Sequence, residues 1–376
     1  MHSRKLSTIM ITVLIRIAIY VIYLTLFLGV CVMKKVVPSV LRSLFAVTAV
    51  AATLSPAIAA DEVNLYTTRE PQLIQPLLDS FTKETGVTVN TIFVKDGLIE
   101  RVKAEGARSP ADVLMTVDIG NLVDLVDQGV TQPIDSATLN NSIPANLRGA
   151  DGQWYALSLR DRVIYAAKDL NVGPLTYESL SDPKWEGKIC IRSGQHPYNT
   201  ALFAALIAHN GAAETEQWLT GVKNNLARQA TGGDRDVARD ILGGICDIGL
   251  ANAYYAGHMK TAEPGSDNRQ WGDAIEVIRP TFEKTGGTFV NISGAAVAKF
   301  APNRDNAISL LEFLVSDQAQ TLYANANFEY PVKAGVATNA VVESFGEFKI
   351  DPMPVAEVAT YRKQASEMVD TVGFNN

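Results

Sequence analysis

"GQWYALSLRDRVIYAAKD", residues 152–169, is rich in β-branched and aromatic side chains and reads as one long strand. Its place in the chain gives it meaning, because an alternating strand–helix order precedes it and another follows. Upstream, "EVNLYTT" is a strand, after which Leu73, Ile74, Leu77, Leu78 and Phe81 recur at helical spacing. Pro71 suits the first turn of that helix, and Pro76 is expected to shift or kink it. "VTVNTIFV" is a second strand, with a helix from about Gly97 to Glu105; "SPADVLMTVD" is a third, with the helix "IGNLVDLVDQG" ended by Gly129. This order predicts a parallel sheet covered by helices. Downstream the order resumes: "GKICIRS", helices near 199–210, 214–224 and 234–242, then the strand "ICDIGLANA". "GGTFVNISGAAVAK" is expected to be a strand pair returning to the first lobe, followed by two helices and a helical tail over 355–369. The long strand is then the crossing between two α/β lobes. One is expected to hold residues 60–158 with about 281–330, the other 159–280 with about 331–376.

The 376-residue length agrees with two domains. The first 59 residues stand apart, with six of the 33 basic residues and no Asp or Glu. From Met33 they give a basic n-region at Lys34–Lys35, an apolar run over Leu44–Leu54 and the A-x-A signal Ala57–Ile58–Ala59. That is the pattern of a secretory signal peptide, 33–59, with cleavage expected after Ala59. Residues 1–32 carry a second apolar run, Ile17–Val32, and read as a misassigned upstream extension rather than a membrane anchor. The exported chain keeps 27 basic against 40 acidic residues, a formal charge of −13. Such an excess argues against nucleic acid or an anionic membrane as partner. It also keeps two cysteines, Cys190 and Cys246, and one pair in an exported protein predicts a disulfide.

An exported, acidic, two-lobed α/β chain reads as a periplasmic solute-binding protein, with its ligand between the lobes. Signs of catalysis are weak. The chain has no phosphate-binding G-x-x-x-x-G-K-[ST] loop, no H-E-x-x-H and no G-x-S-x-G, and beyond residue 59 only His196, His209 and His258. No enzyme is expected. Tyrosines attract attention instead. Tyr198 lies eight residues beyond Cys190, and Tyr254, followed at once by Tyr255, lies eight beyond Cys246. If the cysteines sit on adjacent parallel strands, these offsets carry the three phenols to one carboxyl edge of the sheet. Phenolates are hard donors suited to ferric iron, while softer metals prefer Cys or His and calcium prefers carboxylates and carbonyls. On residue chemistry alone, a sugar- or cation-binding aromatic cleft stands nearly level with iron.

Five stretches extend the reading: "NLYTTRE" at 64–70, "EGARSPADVLMTVD" at 105–118, "SLRDRVIY" at 158–165, "GGICDIGLANAYYAG" at 243–257 and "FEYPVKAGV" at 328–336. Through them the chain resembles the periplasmic ferric-iron-binding proteins of bacterial ABC transporters, also called bacterial transferrins. The resemblance implies a class II, transferrin-like two-lobed fold, each lobe a mainly parallel sheet flanked by helices. It implies Fe(III) as cargo, held by Tyr198, Tyr254 and Tyr255. Arg69 and Arg160 match arginines that hold a synergistic carbonate or other anion, and Arg162, two residues on, shares the strand face of Arg160. Where many relatives carry His, or His followed by Tyr, this chain has Glu70 and Pro71; Glu70 is a candidate carboxylate ligand or a helix N-terminal charge. His258 is expected beside the site rather than on the metal, and Tyr66 in the core. The implied partners are an inner-membrane ABC permease and its ATPase, served by a periplasmic monomer not inserted in the membrane after signal cleavage. The alternative is another solute of the same fold, such as a polyamine or a thiamine-like cation.

Overall fold

A computed structural model describes residues 61–376; the extension at 1–32, the signal peptide at 33–59 and its cleavage site lie outside the described residues. Nine strands form the framework: β1 (Glu62–Thr67), β2 (Thr88–Phe93), β3 (Val113–Thr116), β4 (Thr131–Gln132), β5 (Tyr155–Ala167), β6 (Ile189–Cys190), β7 (Ile248–Asn252), β8 (Ile275–Ile278) and β9 (Val290–Ala298). Their order is β2-β1-β3-β9-β5-β7-β6, with β4 on β9 and β8 on β5. The βα units give the parallel pairs β1–β2, β1–β3 and β6–β7. The long strands β5 and β9 run antiparallel to their neighbours, so each sheet is mixed where the crossings enter it.

β5 is the single long strand read from residues 152–169, and it changes partners along its length. Tyr155–Asp161 pair with β9, whereas Arg162–Ala166 pair with β7. Every residue from Tyr155 to Ala166 is buried, including the charged run Arg160–Asp161–Arg162. Charges in such a place need partners, and they find them at the junction of the two sheets. Separate cores flank the junction. Leu65, Ile74, Leu77, Phe81 and Val113 pack in one, and Ile164, Phe203, Trp218 and Leu250 in the other. Each such side chain contributes roughly 1.5–3 kcal/mol by leaving water.

The helix Pro71–Thr85 buries Ile74, Leu77, Leu78 and Phe81 on one face and stops at Gly86, whose φ of 79° closes the last turn. It runs on through Pro76, which lies on the exposed face. The segment expected as a strand pair is one continuous strand, β9. Gly294 is not a turn glycine. A Cβ there would stand 2.6 Å from Leu122 Cδ2 and 2.9 Å from the Tyr155 carbonyl oxygen, so glycine lets β9 approach β5 and the helix behind it. The tail helices Val355–Thr360 and Arg362–Thr371 pack on helix Pro197–Asn210, and the first of them also on helix Ile119–Asp127. Arg362 binds Asp124 at 2.5 Å and the Asn121 side chain at 2.7 Å. No helix among the described residues is long and apolar enough to cross a membrane.

Cys190 and Cys246 form a disulfide with Cα atoms 5.8 Å apart. The strands concerned, β6 and β7, are adjacent and parallel, but Cys246 precedes β7 rather than lying on it. The register partner of Cys190 is Gly249.

Candidate functional site

Two chain segments leave the carboxyl edge of β6 and β7, and each enters a helix whose second residue is a tyrosine. After β6 comes helix Pro197–Asn210 with Tyr198; after β7 comes helix Ala253–Lys260 with Tyr254 and Tyr255. The equal eight-residue offsets conceal a cancellation. From the register pair Cys190–Gly249, Tyr198 lies eight residues on and Tyr254 only five. Counted from that pair to its tyrosine the first segment is three residues longer, and Cys246 lies three residues short of Gly249. The phenols share an edge because β6 and β7 are parallel, not because the cysteines are in register.

His196 caps the first helix: its Nδ1 accepts the Tyr198 backbone N–H at 3.2 Å. Burial, reinforced by Arg192, pushes its pKa down to about 3, which keeps the imidazole neutral and able to accept. Negative charge at either helix N-terminus is favoured by the backbone dipoles. The Tyr254 and Tyr255 rings lie 4.1 Å apart at 32°. Tyr254 is buried, while Tyr255 and Tyr198 are partly open. Burial raises the pKa of Tyr254 well above the ordinary phenol value, with Tyr198 and Tyr255 adding to the effect and Arg160 opposing it. Burial, then Tyr198 and Asp234, push Tyr255 up to about 12. Both are therefore neutral phenols at neutral pH, and Tyr198 is close enough to act on both.

Arginines surround the phenols. Arg160 Nη1 donates to the Tyr198 hydroxyl at 3.4 Å, while Nη2 donates to the Val117 carbonyl and, at 2.8 Å, to that of Ile292. Its guanidinium stands 5.2 Å from the Tyr198 ring centre; Arg192 stands 5.3 Å from the same ring, and Arg235 4.8 Å from that of Tyr255. Arg69 comes in from the end of β1. Its Nη2 donates to Glu329 Oε1 at 2.6 Å and its Nη1 to Ser293 Oγ at 3.2 Å, and Ser158 Oγ donates to Glu329 Oε2 at 2.5 Å. Burial works against the Arg69 charge, but Glu329 and the nearby phenols outweigh it and hold the guanidinium protonated. Glu329 thus cancels Arg69, and Arg160 is the cation of the pair without a carboxylate partner.

Glu70 behaves differently from its neighbour. It is exposed at the N-terminus of helix Pro71–Thr85, makes no capping bond, and accepts only from the Gln72 side chain at 2.6 Å. Tyr66 is buried, its hydroxyl donating to Glu105 at 3.1 Å. His258 packs edge-on to Phe328 at 4.9 Å, beside Tyr254; burial, with Arg235, pushes its pKa down to about 4. Between the first sheet's carboxyl edge and Pro197 lies a hollow of about 300 Å³ lined by Thr68, Lys95, Gly97, Thr116 and Asn121. Among the described residues no group of three or more His, Cys, Asp or Glu is placed to hold a metal, so the clustered hard donors are the phenols.

Sequence reasoning did not single out Glu329, Ser158 and Ser293 around Arg69, nor Asp234, Asn199 and Asn252 around Arg162. The available signal was general: charged residues within a buried strand must be paired. Glu329 lay within "FEYPVKAGV", but nothing in that stretch names Arg69 as its partner.

Phenols and arginines gathered where long strands cross between two sheets define a two-lobed solute-binding protein. The chain belongs to the bacterial extracellular solute-binding proteins, whose pattern matches residues 108–346. It is 40% identical over 318 residues to iron uptake protein A2 of Synechocystis, covering 83% of this chain and 90% of that one. Among solved structures it is similar to the Bordetella ferric binding protein, at 73% identity and a TM-score of 0.80, over 84% of this chain and all of that one. It is also similar, at 44% identity and a TM-score of 0.79, to a Trichodesmium protein solved with iron and citrate ligands, over 83% of this chain and 99% of that one. The resemblance to ferric-iron-binding proteins holds, with the two-lobed fold, and these relatives are transport proteins rather than enzymes.

Proposed function

We propose that this protein captures Fe(III) in the periplasm through the phenolates of Tyr198, Tyr254 and Tyr255 and delivers it to an inner-membrane ABC permease and its ATPase. The observation that carries the reading is the placement of Tyr198 and of Tyr254 and Tyr255 at the N-termini of two helices leaving one sheet edge, with Arg160 against Tyr198. Iron supplies the positive charge that makes phenolates stable there, so binding expels phenolic protons. Three phenolates offset the ferric charge and Glu329 offsets Arg69, which leaves Arg160 to hold a carbonate or other small anion. We assign residues 60–158 with about 281–330 to one lobe and 159–280 with about 331–376 to the other. Closure about β5 and β9 brings Arg69 nearer and offers the exposed Glu70 carboxylate as a further oxygen ligand. The loaded monomer then presents a closed shape to the permease. A polyamine or thiamine-like cation is the weaker reading, since Arg160, Arg192 and Arg235 already place cations against the phenol rings.

Titration of the iron-free protein with a ferric chelate tests the proposal. The expected result is a red-brown tyrosinate-to-iron charge-transfer band that is weakened in Tyr254→Phe and Tyr255→Phe. A colourless protein that takes up no iron refutes it.

A further inference from the structure

The two tyrosine-bearing segments are tied to one buried ion pair. The Arg162 and Asp234 side chains are 1% and 0% exposed and meet at 2.6 Å. Arg162 Nη2 donates to Asn199 Oδ1 at 2.6 Å, on the residue after Tyr198. Its Nη1 donates to Asn252 Oδ1 at 3.0 Å, two residues before Tyr254. Asp234 Oδ2 also accepts the Asn252 backbone N–H at 2.8 Å, and its Oδ1 accepts from Arg192, whose guanidinium lies on the Tyr198 ring. Arg235, the next residue, lies on the Tyr255 ring. Asn199 Nδ2 completes the arrangement by donating to the carbonyls of Arg192 and Ser193, both at 3.0 Å.

A buried ion pair adds little net stability over well-packed apolar residues, so stability alone does not explain this one. What it does geometrically is specific. The planar guanidinium fork reaches the helix that carries Tyr198 and the end of β7 that leads to Tyr254 at once, which a point charge cannot do. We infer that Arg162 and Asp234 are a positioning pair that fixes Tyr198 relative to Tyr254 and Tyr255 before iron arrives. The inference rests on the tyrosine site proposed above. Neither residue touches the phenol oxygens; Arg162 acts through Asn199 and Asn252, and Asp234 through Asn252 and Arg192.

The test compares wild type with Arg162→Lys, which keeps the charge and loses the fork, and with Arg162→Met/Asp234→Leu, which removes both charges together. Each folded variant is expected to lose about ten- to hundredfold in ferric affinity, the usual effect of removing support behind metal ligands. Its charge-transfer band should shift and broaden, a change that a general loss of stability does not produce. In wild type without iron, the Asn252 amide, at the end of β7, should exchange with solvent as slowly as the amides in the middle of that strand. A folded variant with wild-type affinity and band overturns the inference, as does an Asn252 amide that becomes protected only when iron binds. If wild type itself binds no iron, the site reading falls and this inference with it. If wild type binds normally and the variants match it, only this inference falls.

Discussion

Replacing Tyr255 by Phe removes one phenol oxygen and leaves the ring, so its effect on iron uptake separates a ligand from a packing residue. Burial, Tyr198 and Asp234 push the Tyr255 pKa up to about 12. Ionising it near pH 7.4 therefore costs about 6 kcal/mol, at about 1.36 kcal/mol per pH unit, and the iron–oxygen bond must exceed that cost. The proton is bound in the iron-free state and absent in the loaded one, so acidification favours the iron-free protein. Over about pH 6–8, well below the phenol's value, the apparent affinity of wild type is expected to fall about tenfold more per pH unit than that of Tyr255→Phe. The advantage of wild type over the variant thus narrows as the pH drops. Equilibrium competition with a chelator of known protonation, followed at the charge-transfer band, reads both slopes, and contributions from the anion or from ferric hydrolysis cancel in their difference. Identical slopes would show that Tyr255 keeps its proton or does not ligate, and would refute the argument.

Removing the Cys190–Cys246 disulfide by Cys→Ser at both positions reopens a loop with a sequence separation of 56. Chain entropy gives a loss of about 4 kcal/mol, read as a lower denaturant midpoint; no loss would show that the bridge does not constrain the unfolded chain. Gly294→Ala places a methyl group within 2.9 Å of the Tyr155 carbonyl oxygen and closer still to Leu122. It is expected to cost about 1–3 kcal/mol by overpacking, read by thermal unfolding, and a variant as stable as wild type would show that β5 and β9 part freely.

Much of the fold was legible because strand and helix periods are local properties. The helix Asp234–Leu242 and the crossing strand β5 stand where their patterns put them. β9 is one strand where a pair was expected, and the close approach that Gly294 permits inside it is a tertiary contact that no short pattern shows. Near the site, "ANAYYAG" marked two phenols by adjacency, the equal offsets from Cys190 and Cys246 added Tyr198, and the resemblance to iron-binding relatives supplied Arg69 and Arg160. The supporting residues were not legible. Asp234 and Arg162 are 72 positions apart and Glu329 and Arg69 are 260 apart, and no periodicity links residues so distant.

The sequence by itself determined the two α/β lobes, the crossing strand, the acidic character and the phenols, because each is written in composition or short-range pattern. Only the tertiary structure decided which arginine does what. Arg160 and Arg162 share one strand face, yet Arg160 meets Tyr198 while Arg162 is enclosed by Asp234, Asn199 and Asn252. The division falls there because β5 changes partners between Asp161 and Arg162, so two residues on one face enter different surroundings. Arg69, alike on paper, is neutralised by a glutamate that only chain folding brings to it. The partner of a buried charge is set by packing, and packing is not a property of any short stretch.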